Sequence, residues 1–189
     1  MALASTVLTP TLQLFHGGKL EGAVELRTKA KSMAYGPGFY MTTSYWTARE
    51  YRGGNGFVYR ITVDGRLKWA HRVRFSSDEV TRFLAAIPRL KHRQEVEADL
   101  FKQRARCPDG TVSVIAVLNT LDLHQAYGAK VARDVAQALV AAGVDATLVD
   151  GANGGNEDWV VLHNPSKVLK VEKLTAPDED MPRLKLAAD

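Results

Sequence analysis

The chain has 189 residues, 46% hydrophobic and 24% charged, the composition of one ordinary globular domain; at this length roughly 70% of the unfolded surface can be buried, so no staple is needed to fold. Its single cysteine, Cys107, and the absence of any Cys/His group at ligand spacing exclude a disulfide scaffold and a structural zinc site and suit a reducing compartment. A net charge of +4 with a pI near 9.2 leans toward anionic partners.

Met1 to Pro10 carries neither a positive n-region nor a long apolar run, so a soluble, cytoplasmic protein without a membrane segment is expected. Thr11 to His16 alternates as a strand, with Leu12, Leu14 and His16 on one face, and Gly17-Gly18 breaks it. Phe39 to Thr43 reads as a second strand, and Ser44 as the N-cap of a helix running to Tyr51. After Gly53-Gly54-Asn55-Gly56, Phe57 to Val63 alternates as a half-buried strand, and Asp64-Gly65 turns the chain.

The middle, residues 76–127, reads as a helical insertion. Val80, Phe83, Leu84 and Ile87 recur at helical spacing, and Val96, Leu100 and Phe101 repeat it. The charges from Arg89 to Arg106 change sign turn by turn, the pattern of a solvated face. Val112 to Leu118 is apolar and β-branched, and strand and buried helix both fit it. Ala129 to Ala142 is an amphipathic helix stopped by Gly143. Ala146 to Val149, Asp158 to Leu162 and Val168 to Leu174 read as short strands, the first two joined by the glycine-rich loop Gly151 to Asn156. Residues 176–189, rich in Pro and Asp, read as a mobile tail to a single domain over 1–175. Strands at both ends enclosing helices predict an α+β fold, not a doubly wound sheet.

The usual chemical signatures are missing. The five histidines are scattered without a His-x-x-x-His pair, and there is no P-loop, no Gly-x-Gly-x-x-Gly after a strand and no Gly-x-Ser-x-Gly elbow. Cys107 sits in a Pro-Asp-Gly turn and reads as an inert thiol.

What remains is an ordered set of three segments: Leu14-Phe15-His16-Gly17-Gly18, then Tyr35-Gly36-Pro37-Gly38-Phe39-Tyr40-Met41-Thr42-Thr43 with Tyr51 behind it, then Asn156-Glu157-Asp158-Trp159-Val160-Val161-Leu162-His163. Together they resemble the ADP-ribosyltransferase superfamily, in the His-Tyr-Glu branch of the diphtheria-toxin-like and poly(ADP-ribose) polymerase enzymes. There one strand ends in His-Gly, a second carries Gly-x-Gly-aromatic-Tyr, and a third begins with an acid before an aromatic-Val-Val run. The resemblance covers roughly residues 11–63 and 143–174 and leaves the helical middle unmatched. It implies a split β-sheet core and a transferase that breaks NAD at the nicotinamide bond, with NAD as substrate and no metal. By size and family it also implies a toxin, effector or phage-encoded modifier, and leaves open a neutralising partner protein.

The resemblance assigns His16 to a ribose hydroxyl and Tyr51 to the second wall of the nicotinamide slot. The chemistry of a flat cationic ring suits a stacking face at Tyr40 and a close backbone approach at Gly17, with Thr42 on the same strand among the NAD-binding residues. Departure of nicotinamide leaves an oxocarbenium-like ribose, which a carboxylate stabilises. Alignment by the hydrophobic run nominates Asp158 and is preferred; alignment by Asn-Glu nominates Glu157. Adjacent strand residues face opposite sides, so one of the two serves.

Taken singly, His16 before two glycines also reads as a turn residue, Tyr40 as a core tyrosine and Trp159 as a core anchor. Two rival functions remain: an RNA 2′-phosphotransferase on the same fold, and a silent module binding NAD or ADP-ribose. A protein acceptor is expected over nucleic acid, because Glu95, Glu97 and Asp99 interrupt the basic run and only Phe101 interleaves with it.

Overall fold

The computed structural model describes residues 10–20 and 35–184. The expected leader-free start, apart from Pro10, and the tail beyond Leu184 lie outside the described residues. The fold is mixed α+β. Strands β1 (Thr11–Gly18), β2 (Phe39–Thr42), β3 (Phe57–Asp64), β6 (Ala146–Gly151), β7 (Glu157–Leu162) and β8 (Val168–Leu174) form one antiparallel sheet in the order β6-β7-β2-β1-β3-β8. A separate ribbon pairs β4 (Arg74–Phe75) with β5 (Val112–Ser113).

Strand alternation sends successive side chains to opposite faces, and both faces of the central strands are covered. Leu14, Phe39, Met41, Ile61, Val160 and Leu162 build one buried cluster. Phe15 and Val58, on the other face, meet Tyr45 and Ala48 of α1 (Tyr45–Tyr51). Ser44 caps α1 as its sequence suggests, its hydroxyl accepting from the Thr47 N–H. β1 and β3 pair along their whole length from Thr11↔Asp64 to Gly18↔Phe57, whereas β1 and β2 are in register only at Phe15↔Thr42.

Helices α2 (Ser77–Ala85), α3 (Arg93–Ala105), α4 (Val114–Leu123) and α5 (Ala129–Ala141) share a second core. The segment for which strand and helix competed divides between the two. Val112–Ser113 closes the ribbon, then Ser113 caps α4, its hydroxyl accepting from the Ala116 N–H at 3.2 Å. Val114, Val117, Leu118 and Leu121 then fall on one buried stripe, so packing overrides the β preference of the branched residues. Among the described residues no helix is long and apolar enough to cross a membrane.

The stretch read as a mobile tail is, over 176–184, a strap hydrogen-bonded to the body. Asp178 pairs with Arg60, Asp180 accepts from the Tyr45 N–H at 2.6 Å, and the Met181 N–H donates to the Thr43 carbonyl at 2.8 Å. Arg183 and Leu184 end the strap on Asp158. These anchors are polar and their partners are far away in the chain, which a count of apolar residues does not register.

Candidate active site

The three segments singled out in the sequence occupy neighbouring strands, β1, β2 and β7. The β2–β7 register, Tyr40↔Val161 and Thr42↔Trp159, puts Tyr40, Thr42, Trp159 and Glu157 on one face. Phe39, Met41 and Val160 fill the opposite face, and Asp158 lies on that side.

This alternation separates the two candidate acids. The Glu157 carboxylate accepts from the Thr42 hydroxyl at 2.7 Å, from the Trp159 indole Nε1–H at 2.8 Å and from the Asn153 amide. Three donors hold it in one orientation on the face that carries Tyr40 and Thr42. Asp158, fully buried, is consumed elsewhere. Its Oδ1 accepts from the Gly151 N–H at 3.0 Å and from Arg183 at 2.8 and 3.1 Å, and its Oδ2 accepts from the Leu184 N–H at 2.7 Å. Burial pushes this carboxyl up, but the Arg183 guanidinium and the two backbone amides outweigh it and hold the group below the usual carboxylate range. Asp158, the acid preferred from the sequence, thus anchors the strap, and strand alternation sends it to the face opposite Tyr40 and Thr42.

Around Glu157 stands an aromatic rim. Trp159 meets Tyr35 and Tyr51 edge-on, each at 6.3 Å between ring centroids. Tyr51 is 61% exposed and Tyr35 40% exposed, so these two rings, projecting from different segments, offer flat faces to solvent. Trp159 is thus both a wall of the site and a donor to the acid. Its i, i+2 relation to Glu157 on one strand face was the readable signal.

Tyr40 is placed differently. Its hydroxyl donates to the Gly36 carbonyl at 2.7 Å. Burial, followed by the charges of Asp122 and Tyr35, raises it well above the ordinary tyrosine value, which keeps it a neutral donor. Its β7 partner, Val161, stands four residues along the strand from Glu157, so Tyr40 forms the deep end of the face and Tyr51 the exposed end.

His16 is 3% exposed, its Nδ1–H donates to the Tyr40 carbonyl at 2.8 Å, and its ring lies 4.2 Å from that of Phe39. It bridges β1 and β2 where their ladder is shortest. Strand alternation puts this ring on the Phe39 and Met41 face, opposite the face that carries Glu157, Tyr40 and Thr42. Gly17 is required for packing. A Cβ there would stand 1.7 Å from the Ala48 carbonyl oxygen and 2.8 Å from the Arg52 nitrogen, so the close approach that demands glycine is that of α1. Thr42 is buried and accepts from the Ser44 N–H at 3.0 Å while donating to Glu157, a positioning role that couples the start of α1 to the acid.

Among the described residues no group of three or more His, Cys, Asp or Glu could hold a metal ion. Comparison with protein-family models, curated proteins and solved structures gave no match.

Proposed function

We propose that the chain is an NAD-dependent ADP-ribosyltransferase in the manner of the His-Tyr-Glu enzymes it resembles, with Glu157 as its acid. The observation that carries this reading is the convergence of three segments, as far apart as residues 16 and 157, on adjacent strands of one sheet, with a fixed carboxylate under an exposed aromatic rim. A split between β1 and β2 beyond their single registered pair fits the same reading.

In that reaction the C–N bond between ribose and nicotinamide breaks, and its electron pair leaves with the ring, which becomes neutral. Positive charge develops at the ribose C1′, and a preoriented carboxylate stabilises it more than it stabilises the ground state. Thr42, Trp159 and Asn153 keep Glu157 from reorganising as that charge appears. Tyr51 and Tyr35 supply stacking for a flat cation, worth about 1 to 2 kcal/mol per good contact. The acceptor nucleophile then bonds to C1′ and releases its proton to solvent or to the acid.

Purified protein incubated with NAD is expected to release nicotinamide, and Glu157→Gln is expected to lower turnover by roughly 10² or more with NAD affinity within a few fold. NAD binding by calorimetry without nicotinamide release would establish the silent module instead, and absence of NAD binding would end both readings.

A further inference from the structure

The sheet ends on one side at β8, which pairs with β3 alone among the described strands. In an antiparallel ladder alternate residues turn their N–H and C=O groups away from the partner strand, so β8 presents a row of donors and acceptors that no other described strand takes up. We infer that this edge pairs with β8 of a second copy of the chain, antiparallel and centred on Val171, so that one sheet runs through both copies.

The side chains along the edge favour that partner. The pairs Ile61↔Val171 and Tyr59↔Lys173 put Val171 and Lys173 on the face of Tyr59 and Ile61, and alternation adds Phe57. The pairing then steps from Thr62↔Lys170 to Val63↔Val168 and leaves Leu169 without a β3 partner. Leu169 is 57%, Phe57 41% and Val171 38% exposed, so apolar surface collects at this margin of the sheet. Lysines usually guard a free edge, but both of those on β8 are accommodated. The Lys173 ammonium lies 3.2 Å from the centre of the Phe57 ring, and Lys170 is paired with Glu172 at 2.9 Å on the opposite face.

Charge selects the register. A twofold axis perpendicular to the sheet keeps like faces together, and such an axis falls on a residue. Centred on Lys170 it would set Lys170 against its twin, and centred on Glu172 it would set Glu172 against its twin; like charges directly opposed are destabilising. Centred on Val171 it sets valine against valine and Lys170 against Glu172 on both sides of the axis. The ion pair within each copy then joins that of the other in a ring of four alternating charges. A foreign strand would match this pattern by accident, whereas β8 matches it by symmetry. Glu157 stands on β7, with β2, β1 and β3 between it and β8, so the pairing leaves the candidate site of each copy open and does not rest on the transferase reading.

The test is sedimentation equilibrium of the full chain from about 1 to 100 µM, with charge reversals at positions 170 and 172. A strand pair of this length lies at the small end of specific interfaces, so wild type is expected to dimerise with a Kd on the order of 10 µM. K170E makes all four charges of the ring negative and E172K makes all four positive. Each variant alone should weaken the dimer on the order of tenfold or more, with its melting temperature within a few degrees of wild type. An equimolar mixture of the two variants restores every opposite-charge pair in a heterodimer, and K170E/E172K restores them in a homodimer. Both should return to the wild-type Kd within a few fold. A wild type that stays monomeric over the whole range, single variants that dimerise as wild type does, or a mixture that stays monomeric would overturn the proposal.

Discussion

At the scale of single residues, the side chains of Glu157 and Asp158 do opposite work because one peptide unit turns them to opposite faces of β7. Glu157 is held by three side-chain donors, and Asp158 by Arg183 and two backbone amides. The expected mutational pattern is therefore crossed. Glu157→Gln should abolish most turnover and leave the melting temperature within a few degrees. Asp158→Asn replaces an acceptor-only group by one that also donates, among four donors, at a cost of about 2 kcal/mol, or roughly 4 to 8 °C in melting temperature for a chain of this size. Turnover per folded molecule should be unchanged. Steady-state nicotinamide release and a thermal melt on each variant read the two effects separately. Loss of turnover in Asp158→Asn with an unaltered melt would return the acid to Asp158.

At the scale of elements, α1 is the piece on which the site depends, and it is fixed from both sides. Below it, Gly17 and Gly56 leave room for its carbonyls: a Cβ on Gly17 would meet the Ala48 oxygen at 1.7 Å, and one on Gly56 the Arg52 oxygen at 1.8 Å. Above it, the strap places Asp180 on the first N–H of the helix, where an acid complements the helix dipole. Gly17→Ala is expected to push α1 outward, move Tyr51 away from Trp159 and lower nicotinamide release at least tenfold, with near-ultraviolet circular dichroism of the tyrosines and Trp159 reporting the shift. Release and spectrum equal to wild type would show that α1 tolerates the methyl. The strap is tested at its end. Arg183→Ala leaves the buried Asp158 carboxylate without its guanidinium, itself 43% exposed, which costs about 1 to 3 kcal/mol and should lower the melting temperature by roughly 2 to 12 °C. A shift under 2 °C would mean that the amides of Gly151 and Leu184 suffice.

At the scale of the whole molecule, the elements with a repeating apolar pattern or a local cap were readable: β1, β3, α5, and α1 with its Ser44 cap all lie close to where periodicity puts them. Features that depend on pairing across the chain were not. The faces taken by Glu157 and Asp158 needed the β2–β7 register, and the strap needed Arg60 and the start of α1. His163 belongs to this second group, because nothing local to it explains its environment. It is 1% exposed, its Nδ1–H donates to the Pro37 carbonyl at 2.7 Å, and its Nε2 accepts from the Thr147 hydroxyl at 2.9 Å, so it ties the turn before β2 to β6 and β7. Burial pushes it down to about 4, against smaller upward effects from the Pro37 carbonyl and Asp145. The unfolded chain, with an ordinary histidine near 6.5, binds that proton first. Between those values the unfolded state holds more protons than the folded one, so stability rises with pH. The contribution is complete above about pH 6.5 and is lost as pH falls toward 4, for a total of about 3 kcal/mol. The carboxyls held low by their partners, Asp158 and Asp178 among them, lose stability only below about pH 4, below the range in which His163 first costs stability. Urea midpoints at pH 7.5, 6.5, 5.5 and 5 should fall steadily in wild type and much less in His163→Phe, whose ring carries no proton to bind. Parallel pH profiles for the two proteins would show that His163 is not the group that sets the acid side of the stability curve.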